Sequence, residues 1–327
     1  MKLTRIPRFC RIALPVVLTC GLWLSASVAD AAPAAARGVV LQPSDLEAAQ
    51  LKILRRDVAA HRVANPAVFG AVRSVLAQAA LRDKQRRGRL ASLTRGLDAL
   101  GPDALLPMLE QLALQGVERG PLTPTAWLAV RVSLIESVGR KRDVRAVPVL
   151  SRIAQKEQDY WVVRAAAEAL GRIGSTEATQ LLVSLTQTPG ERRRAVLSAI
   201  GDCRRPVIVS TLDGLLRGNL DYDERKLALA ALGDVGNSWA WETPELKQRG
   251  EAAVVRSGAA KVLVQAFVRH HGDATLALEI QKSLLIVEDA STPGLIEGAK
   301  QGADKQLAQR LDALKLKFTS FVARKRR

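Results

Sequence analysis

The chain has 327 residues, of which 48% are apolar, 25% charged and 4% aromatic, and its formal net charge is +17. This apolar content excludes disorder of the whole chain, and the ordinary numbers of Gly (23) and Pro (14) exclude collagen-like or low-complexity sequence. Three Cys are too few for a disulfide scaffold. A length of 327 residues is typical of about two compact domains, but a repeat array does not follow this relation between length and domain number.

Residues 1–31 have the three parts of a secretory signal peptide. A basic head over residues 2–11 is followed by an apolar stretch over residues 12–28 and by Ala29-Asp30-Ala31, with small residues where signal peptidase reads. A membrane anchor is the alternative, but a stretch of 17 residues containing Pro15 is short for about 30 Å of hydrocarbon. We expect cleavage near Ala31 and a periplasmic or extracellular protein.

Cleavage changes both the charge and the cysteine content. It removes four basic residues and Asp30, which lowers the formal net charge from +17 to +14, and it removes Cys10 and Cys20. Cys203 then stands alone, so disulfides do not contribute to the mature fold. Because Cys203 lies in the register of Ile173 in the preceding repeat, we predict a small buried apolar residue, with a reactive nucleophile as the alternative.

Residues 32–102 are predicted to form a helical N-terminal region. Helical periodicity covers residues 44–62, 66–81 and 89–100, but these segments match the later repeats poorly. The region is either a set of divergent repeats or a separate cap.

The middle of the chain repeats one helical unit. Leu170-Gly171 recurs 30 residues later as Ile200-Gly201 and a further 32 residues later as Leu232-Gly233. A period of this size indicates a solenoid of helix pairs. The helix over residues 161–174 has an apolar stripe at spacings of three and four: Val163, Ala166, Ala167, Leu170 and Ile173.

The run Val163-Arg-Ala-Ala-Ala-Glu-Ala-Leu-Gly-Arg-Ile-Gly174, followed by Glu177-Ala178-Thr-Gln-Leu-Leu182, resembles the HEAT-like repeat of the phycobilisome-lyase type. The resemblance implies an all-α fold, an α-α superhelix of stacked helix pairs in which the Val-Arg helix lines the concave face. Known members mostly bind proteins. We place the array at residues 103–303, with an inserted loop over residues 237–250, and a capping helix and basic tail over residues 304–327.

Arg164, Arg194 and Lys226 occupy the same position in three successive repeats. The resemblance implies that such a cation pairs with an Asp in the preceding linker. Asp159 and Asp221 lie five residues before Arg164 and Lys226, respectively, which fits that pattern.

The repeat with Arg194 departs from this pattern, because Pro189 stands where the Asp is expected. Arg192, Arg193 and Arg194 are therefore predicted to carry unpaired charge. Together with Arg164 they are candidate contacts for an anionic partner surface. A structural ladder with a solvated charged run is the alternative.

The inserted loop over residues 237–250 contains Trp239 and Trp241. Long loops in compact arrays are often functional, and Trp is favoured where partners bind. The alternative is that both indoles cover a gap between repeats. Trp127 and Trp161 begin two inner-face helices and either pack there or contact a partner.

The C-terminal segment combines a closing helix with a basic tail. Residues 301–327 carry a net charge of +6 and end in Arg324-Lys-Arg-Arg327. The tail is either a solvated end or a contact for acidic envelope lipid or polysaccharide. No continuous basic stripe would follow a nucleic-acid backbone, so no nucleic acid is expected. The helix over residues 305–323 has one apolar face: Leu307, Leu311, Leu314 and Phe318.

No catalytic motif is found. His270 and His271 diverge by about 100° on a helix, and no His-Glu pair of the HEAT-type di-iron hydroxylases is present. Asn219-x-Asp221-x-Asp223 resembles the start of a calcium loop but lacks its Gly and its final Glu, so these acids are predicted to cap a helix.

The sequence therefore predicts an exported scaffold that binds a protein partner through its concave face, without catalysis, cofactor or metal. A binder of anionic envelope components through the basic ends is the alternative. A lyase-type enzyme is less favoured.

Overall fold

The computed structural model describes residues 40–88, 90–114 and 119–325. The predicted signal peptide, residues 1–31, and the last two residues of the basic tail lie outside these ranges. Within them no strand occurs, and no helix is both long enough and apolar enough to cross a membrane. The α-helices are α1 (Ala48–Ala64), α2 (Pro66–Ala77), α3 (Ala79–Gln85), α4 (Thr94–Asp98), α5 (Leu105–Ala113), α6 (Pro124–Arg140), α7 (Val147–Lys156), α8 (Tyr160–Ile173), α9 (Thr176–Leu185), α10 (Glu191–Leu197), α11 (Pro206–Arg217), α12 (Tyr222–Val235), α13 (Pro244–Lys247), α14 (Ala252–His270), α15 (Ala274–Val287), α16 (Thr292–Lys300) and α17 (Lys305–Lys325).

From α5 onwards the helices pack in two layers. Helices α6, α8, α10, α12, α15 and α17 contact one another in chain order and form one layer, which we call the B layer. Helices α5, α7, α9, α11, α14 and α16 do the same in a second layer, the A layer. Each A-layer helix also contacts the B-layer helix that follows it. This stacking of helix pairs confirms the predicted all-α fold, an α-α superhelix.

The apolar stripes supply the contacts between pairs. All five predicted stripe residues of α8 are buried, and one connected core runs from Val40 to Phe318. A single helix pair leaves its apolar stripe in water, so each pair depends on its neighbours for stability. At the C-terminal end α17 buries Leu307, Leu311, Leu314 and Phe318 against the last pair.

The N-terminal helices pack onto the first pair. Helix α1 contacts α5, and α3 and α4 lie against α6. At this junction Arg62 donates hydrogen bonds of 2.5 Å to both oxygens of buried Glu110. The Arg62 guanidinium also lies 4.1 Å from the ring centroid of Phe69, so one cation joins α1, α2 and α5.

The repeated glycines mark close approaches between neighbouring repeats of the B layer. A Cβ on Gly139 would lie 2.5 Å from Cα of Ala169, and one on Gly201 would lie 2.5 Å from Cβ of Asp234. Any side chain at these positions would push two repeats apart. The recurring Gly seen in the sequence is therefore a packing requirement.

Candidate functional site

The predicted partner-binding residues lie at two separate ends of the B layer. Neighbouring B-layer helices run in the same direction. Asp159 at the start of α8 pairs with Arg131 in the first half of α6, while Ala169 near the end of α8 approaches Gly139 near the end of α6. Trp161 and Arg192–Arg194 lie at the amino-terminal ends. The inserted segment lies at the carboxyl-terminal ends.

The expected pairing within each repeat is wrong, because both aspartates pair with the preceding repeat. Asp159 accepts a hydrogen bond from Arg131 of α6 at 3.3 Å, and Asp221 accepts one from Arg194 of α10 at 2.9 Å. In each Asp, Oδ1 accepts a hydrogen bond from the backbone of its own helix and caps that helix. This orientation directs Oδ2 toward the arginine of the preceding B-layer helix. Arg164 pairs instead with Glu168 at 3.6 Å.

The prediction of an unpaired Arg192–Arg194 run is also wrong. Arg193 is 7% exposed and forms a buried ion pair with Glu224, so it presents no charge to a partner. Arg194 pairs with Glu191 and Asp221. Arg192 is half-buried and donates to the carbonyl of Glu157 at 3.0 Å. The run therefore joins repeats.

The aromatic residues at the amino-terminal ends are mostly packed. Trp127 is 2% exposed, and Arg131 lies 5.7 Å from the centroid of its ring. Trp161 is half-buried with Tyr160 edge-on against it at 5.2 Å. Of Trp127 and Trp161, only Trp161 exposes part of its ring to solvent.

The two tryptophans of the insertion have different environments. Trp241 is 2% exposed, and its indole N–H donates to the carbonyl of Val235 at 3.0 Å, so it packs under the loop and is not a contact residue. Trp239 is 71% exposed, with the Lys325 ammonium 4.5 Å from its ring centroid. Lys325 also pairs with Glu288, which accepts a hydrogen bond from Ser238. The end of α17 therefore lies beside the insertion.

The insertion folds back over the carboxyl-terminal ends of three earlier B-layer helices. Glu245 pairs at 3.3 Å with Arg142, which follows α6. Arg249 packs against Gly174, which follows α8, and Glu251 pairs at 3.2 Å with Arg205, beyond α10. The insertion, which lies between α12 and α14, thus forms one wall of a site. Residues of earlier repeats form the other wall.

That site is a pocket of 310 Å³ rich in arginine. The insertion lines one side with Ala240, Thr243 and Leu246. The earlier repeats contribute four guanidinium groups and one carboxylate: Arg140, Arg142, Arg172, Arg204 and Asp202. We refer to it as the arginine pocket.

A chain of ion pairs leads along the B layer into the arginine pocket. Glu168 joins Arg164 to Arg172, with 2.5 Å to the latter. Asp202 then joins Arg172, at 3.2 Å, to Arg204, at 2.9 Å. Burial raises the pKa of Glu168, an effect that neighbouring Arg172 partly opposes. Among the described residues that line the pocket, Asp202 is the single carboxylate beside four guanidinium groups. The other carboxylates that pair with these groups, Asp98, Glu168 and Glu245, lie outside the lining.

Arg142 is held in a left-handed backbone conformation with φ of +52°. It lies three residues after Gly139, and the equivalent residue of the next repeat is Gly174, with φ of +61°. A glycine adopts this conformation freely, whereas an arginine does so at a cost of about 1 kcal/mol. An arginine therefore stands on the pocket wall where the neighbouring repeat has a glycine.

Arg249 lies close to another cation at the carboxyl-terminal ends of the B-layer helices. Its pKa is lowered by burial and by the nearby Arg205. Its guanidinium donates to the carbonyl of Arg204 at 3.5 Å, and no ion pair joins it to a carboxylate among the described residues. An anion entering beside Arg249 would relieve this repulsion.

The sequence contains one signal for the arginine pocket. Arg140 and Arg172 directly follow the recurring Gly, so they occupy one repeat position on adjacent helices. Their convergence with Arg142 and Arg204 also depends on the fold of the insertion, which no periodicity indicates.

Cys203 and the acids near residue 221, the other candidates for a functional site, have structural contacts. Cys203 is buried, as predicted, and its pKa is raised by that burial. Its Sγ lies 3.3 Å from Oγ1 of Thr179. The acids near residue 221 cap α12, as predicted, through a reciprocal pair of hydrogen bonds between Asp221 and Glu224. No group of three or more His, Cys, Asp or Glu suited to a metal ion occurs among the residues described.

Comparison with known proteins supports the repeat assignment. The profile of the HEAT repeat family matches residues 128–201, which run from α6 to the turn after α10. Residues 128–201 are therefore similar to HEAT repeats, and they form part of the stacked helix pairs. Among solved structures it is similar to human deoxyhypusine hydroxylase in complex with glycerol, at 17% identity and a TM-score of 0.32, with 78% of this chain and 98% of that chain covered. No curated protein matches the chain.

Proposed function

We propose that this chain is an exported, non-catalytic HEAT-repeat scaffold of the phycobilisome-lyase type, and that it binds a protein partner through its B layer, the concave face. The arginine pocket carries this proposal, because it gathers four guanidinium groups at the edge of that layer. A surface of this charge is complementary to an acidic segment of a partner.

The chemistry of arginine suits this role. A guanidinium group donates two parallel hydrogen bonds to a carboxylate, so Asp and Glu side chains are favourable ligands for Arg140 and Arg142. Both side chains are about 40% exposed and already form exchangeable pairs with Asp98 and Glu245. A partner carboxylate would replace these pairs at little cost in free energy.

The experiment compares capture of partners from envelope extract by the wild type and by an Arg140→Ala/Arg142→Gly double variant. Glycine at position 142 keeps the left-handed backbone that Gly174 has in the next repeat, so the variant is expected to fold. Arg145→Ala, an exposed arginine outside the pocket that pairs with Asp143, is the matched control. Partners that the control captures and the double variant loses would support the proposal. Equal capture by all three proteins would overturn it.

Export is tested by N-terminal sequencing of the protein recovered from its native host. A mature chain that begins at Ala32, in the envelope or the medium, is expected. An intact Met1 on the cytoplasmic protein would contradict the proposal.

The second candidate function is binding of an anionic envelope component, and one observation favours it. Lys325 lies over the exposed ring of Trp239, next to a C-terminal segment of net charge +6. Binding to vesicles with anionic lipid should then fall steeply between low and high salt and require residues 324–327. Vesicle binding that exceeds protein capture and disappears without these four residues would favour this candidate over the scaffold.

A further inference from the structure

A large groove lies on the A layer, away from the arginine pocket. It has a volume of 1030 Å³ and is formed by α14 and α16 with the end of α11. Its floor is apolar, with Val264, Val268 and Leu295 among the residues that line it. An apolar groove of this size on a surface is typical of a docking site for a partner.

The wall formed by α16 is open down to the backbone. Gly294 and Gly298 lie four residues apart on one face of α16, and a Cβ at either would have no atom within 4 Å. Elsewhere in the chain, Gly139 on α6 lies directly against Ala169 of α8, and Gly201, in the turn after α10, lies against Ala231 and Asp234 of α12. Gly294 and Gly298 have no such neighbour, so the backbone of α16 is open there to an approach as close as that of α8 to Gly139.

The rim of the groove is positively charged. Arg217, Lys261 and Arg269 line it, and no Asp or Glu does so. Arg217 pairs with Asp213, whereas Arg269 donates, among the described residues, only to the carbonyl of Gln265 on its own helix, at 3.3 Å. Lys261 is exposed, and no ion pair involves it within the described part of the chain. An occupant with carboxylates along its edge would be complementary to this rim.

We propose that this groove binds an acidic amphipathic helix of a partner protein. The apolar face of that helix would lie along Val264, Val268 and Leu295 and approach α16 closely at Gly294 and Gly298. Its acidic edge would face Lys261 and Arg269. This mode of binding is known for amphipathic helices in apolar grooves, where contacts recur every three to four residues. The inference concerns the A layer and does not depend on the function proposed for the arginine pocket.

The test uses a defined probe, a fluorescein-labelled 18-residue helix with Leu and Ala on one face and Glu on the other. A second peptide with Lys in place of each Glu is the charge control. Fluorescence anisotropy with the full chain should show saturable binding of the acidic peptide and at least tenfold weaker binding of the basic one. No binding of the acidic peptide, or equal binding of both peptides, would overturn the proposal.

Two pairs of variants locate the binding. Gly298→Leu should weaken binding of the acidic peptide at least tenfold by filling the groove, while the fold is kept because a side chain there meets open space. Gly70→Leu on α2, which also meets open space, is the control. Lys261→Glu/Arg269→Glu should have a similar effect, whereas the same change at exposed Lys52 and Arg55 should leave affinity within twofold.

Three further outcomes would also overturn the inference. The first is equal binding by the wild type and Gly298→Leu. The second is displacement of the peptide by a long-chain fatty acid at lower concentration than unlabelled peptide, which would make the groove a lipid site. The third is a wild-type dimer in analytical ultracentrifugation that Gly298→Leu converts to a monomer.

Discussion

Arg193 and Glu224 form a buried ion pair between α10 and α12. Nε of Arg193 donates to Oε1 of Glu224 at 2.7 Å, and a second guanidinium nitrogen donates to Oε2. The side chains are 8% and 2% exposed. Glu224 also accepts a hydrogen bond from the backbone N–H of Asp221, so one carboxylate caps α12 and ties it to the preceding repeat.

Removal of one partner from this pair should be strongly destabilising. Arg193→Met leaves a charged carboxylate in the core, and we expect the free energy of unfolding to fall by about 3–5 kcal/mol. Arg194→Met, the neighbouring residue with exposed ion pairs, should cost less than about 1 kcal/mol. Urea unfolding followed by circular dichroism measures both. Similar losses in the two variants would contradict a special role for the buried pair.

A side chain at a repeat glycine should also destabilise the array. In Gly139→Ala the new methyl group would lie 2.5 Å from Ala169, and the separation of α6 from α8 should cost about 1–3 kcal/mol. Gly70→Ala, which meets open space in α2, should instead gain about 0.5–1 kcal/mol from helix propensity. Thermal unfolding of the two variants should therefore shift in opposite directions.

Glu157→Gln should change how stability depends on pH. Burial raises the pKa of Glu157 above its ordinary value of 4.5, with a further increase from Asp159 and an opposing effect of Arg131. The folded wild type therefore binds a proton more tightly than the unfolded chain, and this contribution to stability is lost as pH rises from 4.5 through the folded pKa. Glu157→Gln has no carboxyl group at this position, so its free energy of unfolding does not fall for this reason. The free energy of unfolding of the variant minus that of the wild type should therefore increase between pH 4 and pH 7.5.

Urea unfolding at the two pH values measures this difference. Glu177→Gln, at an exposed position on α9, serves as the control. A difference between wild type and Glu157→Gln that stays constant, or falls with rising pH, would show that burial does not govern this carboxyl group.

Acrylamide should separate the two tryptophans of the insertion. Trp239 is exposed and Trp241 is enclosed, so Trp239→Phe should remove most of the quenchable fluorescence while Trp241→Phe removes little of it. Trp241→Phe should also lower stability, since the hydrogen bond to Val235 is lost. Equal loss of quenchable signal in both variants would mean that the loop is open.

Cys203 should be unreactive in the folded protein. Its raised pKa and its burial both keep the thiol protonated and shielded. Peptide mass spectrometry after iodoacetamide treatment should find Cys203 modified in urea and unmodified in buffer. Rapid modification of Cys203 in the folded chain would contradict this prediction and would favour the alternative, that Cys203 is a reactive nucleophile.

The sequence predicts the local features well and the long-range ones poorly. The apolar stripe of α8 and the cap at Asp221 depend on residues within one helix, so periodicity and spacing suffice to find them. The pairs Arg131–Asp159 and Arg194–Asp221 join different repeats, and spacing alone assigned each Asp to the wrong neighbour.

The candidate site is harder to predict for the same reason. Arg142 and Glu245 are distant in sequence, and their contact follows from how the insertion folds back. Trp239 and Trp241 look alike in the sequence, yet Trp239 is exposed beside Lys325 whereas Trp241 is buried and bonded to the carbonyl of Val235. The A-layer groove, with Gly294 and Gly298, gave no sequence motif that periodicity would detect.

The backward fold of the insertion has a consequence for how the array opens. In a simple solenoid each unit contacts only its immediate neighbours, so the terminal units can unfold locally while the middle stays folded. Here the ion pair of Glu245 with Arg142, which follows α6, and the packing of Arg249 against Gly174, which follows α8, connect the insertion to units that are not adjacent to it. Amides of α6, α8 and α10 should therefore exchange with solvent in a single cooperative event, while those of α16 open on their own.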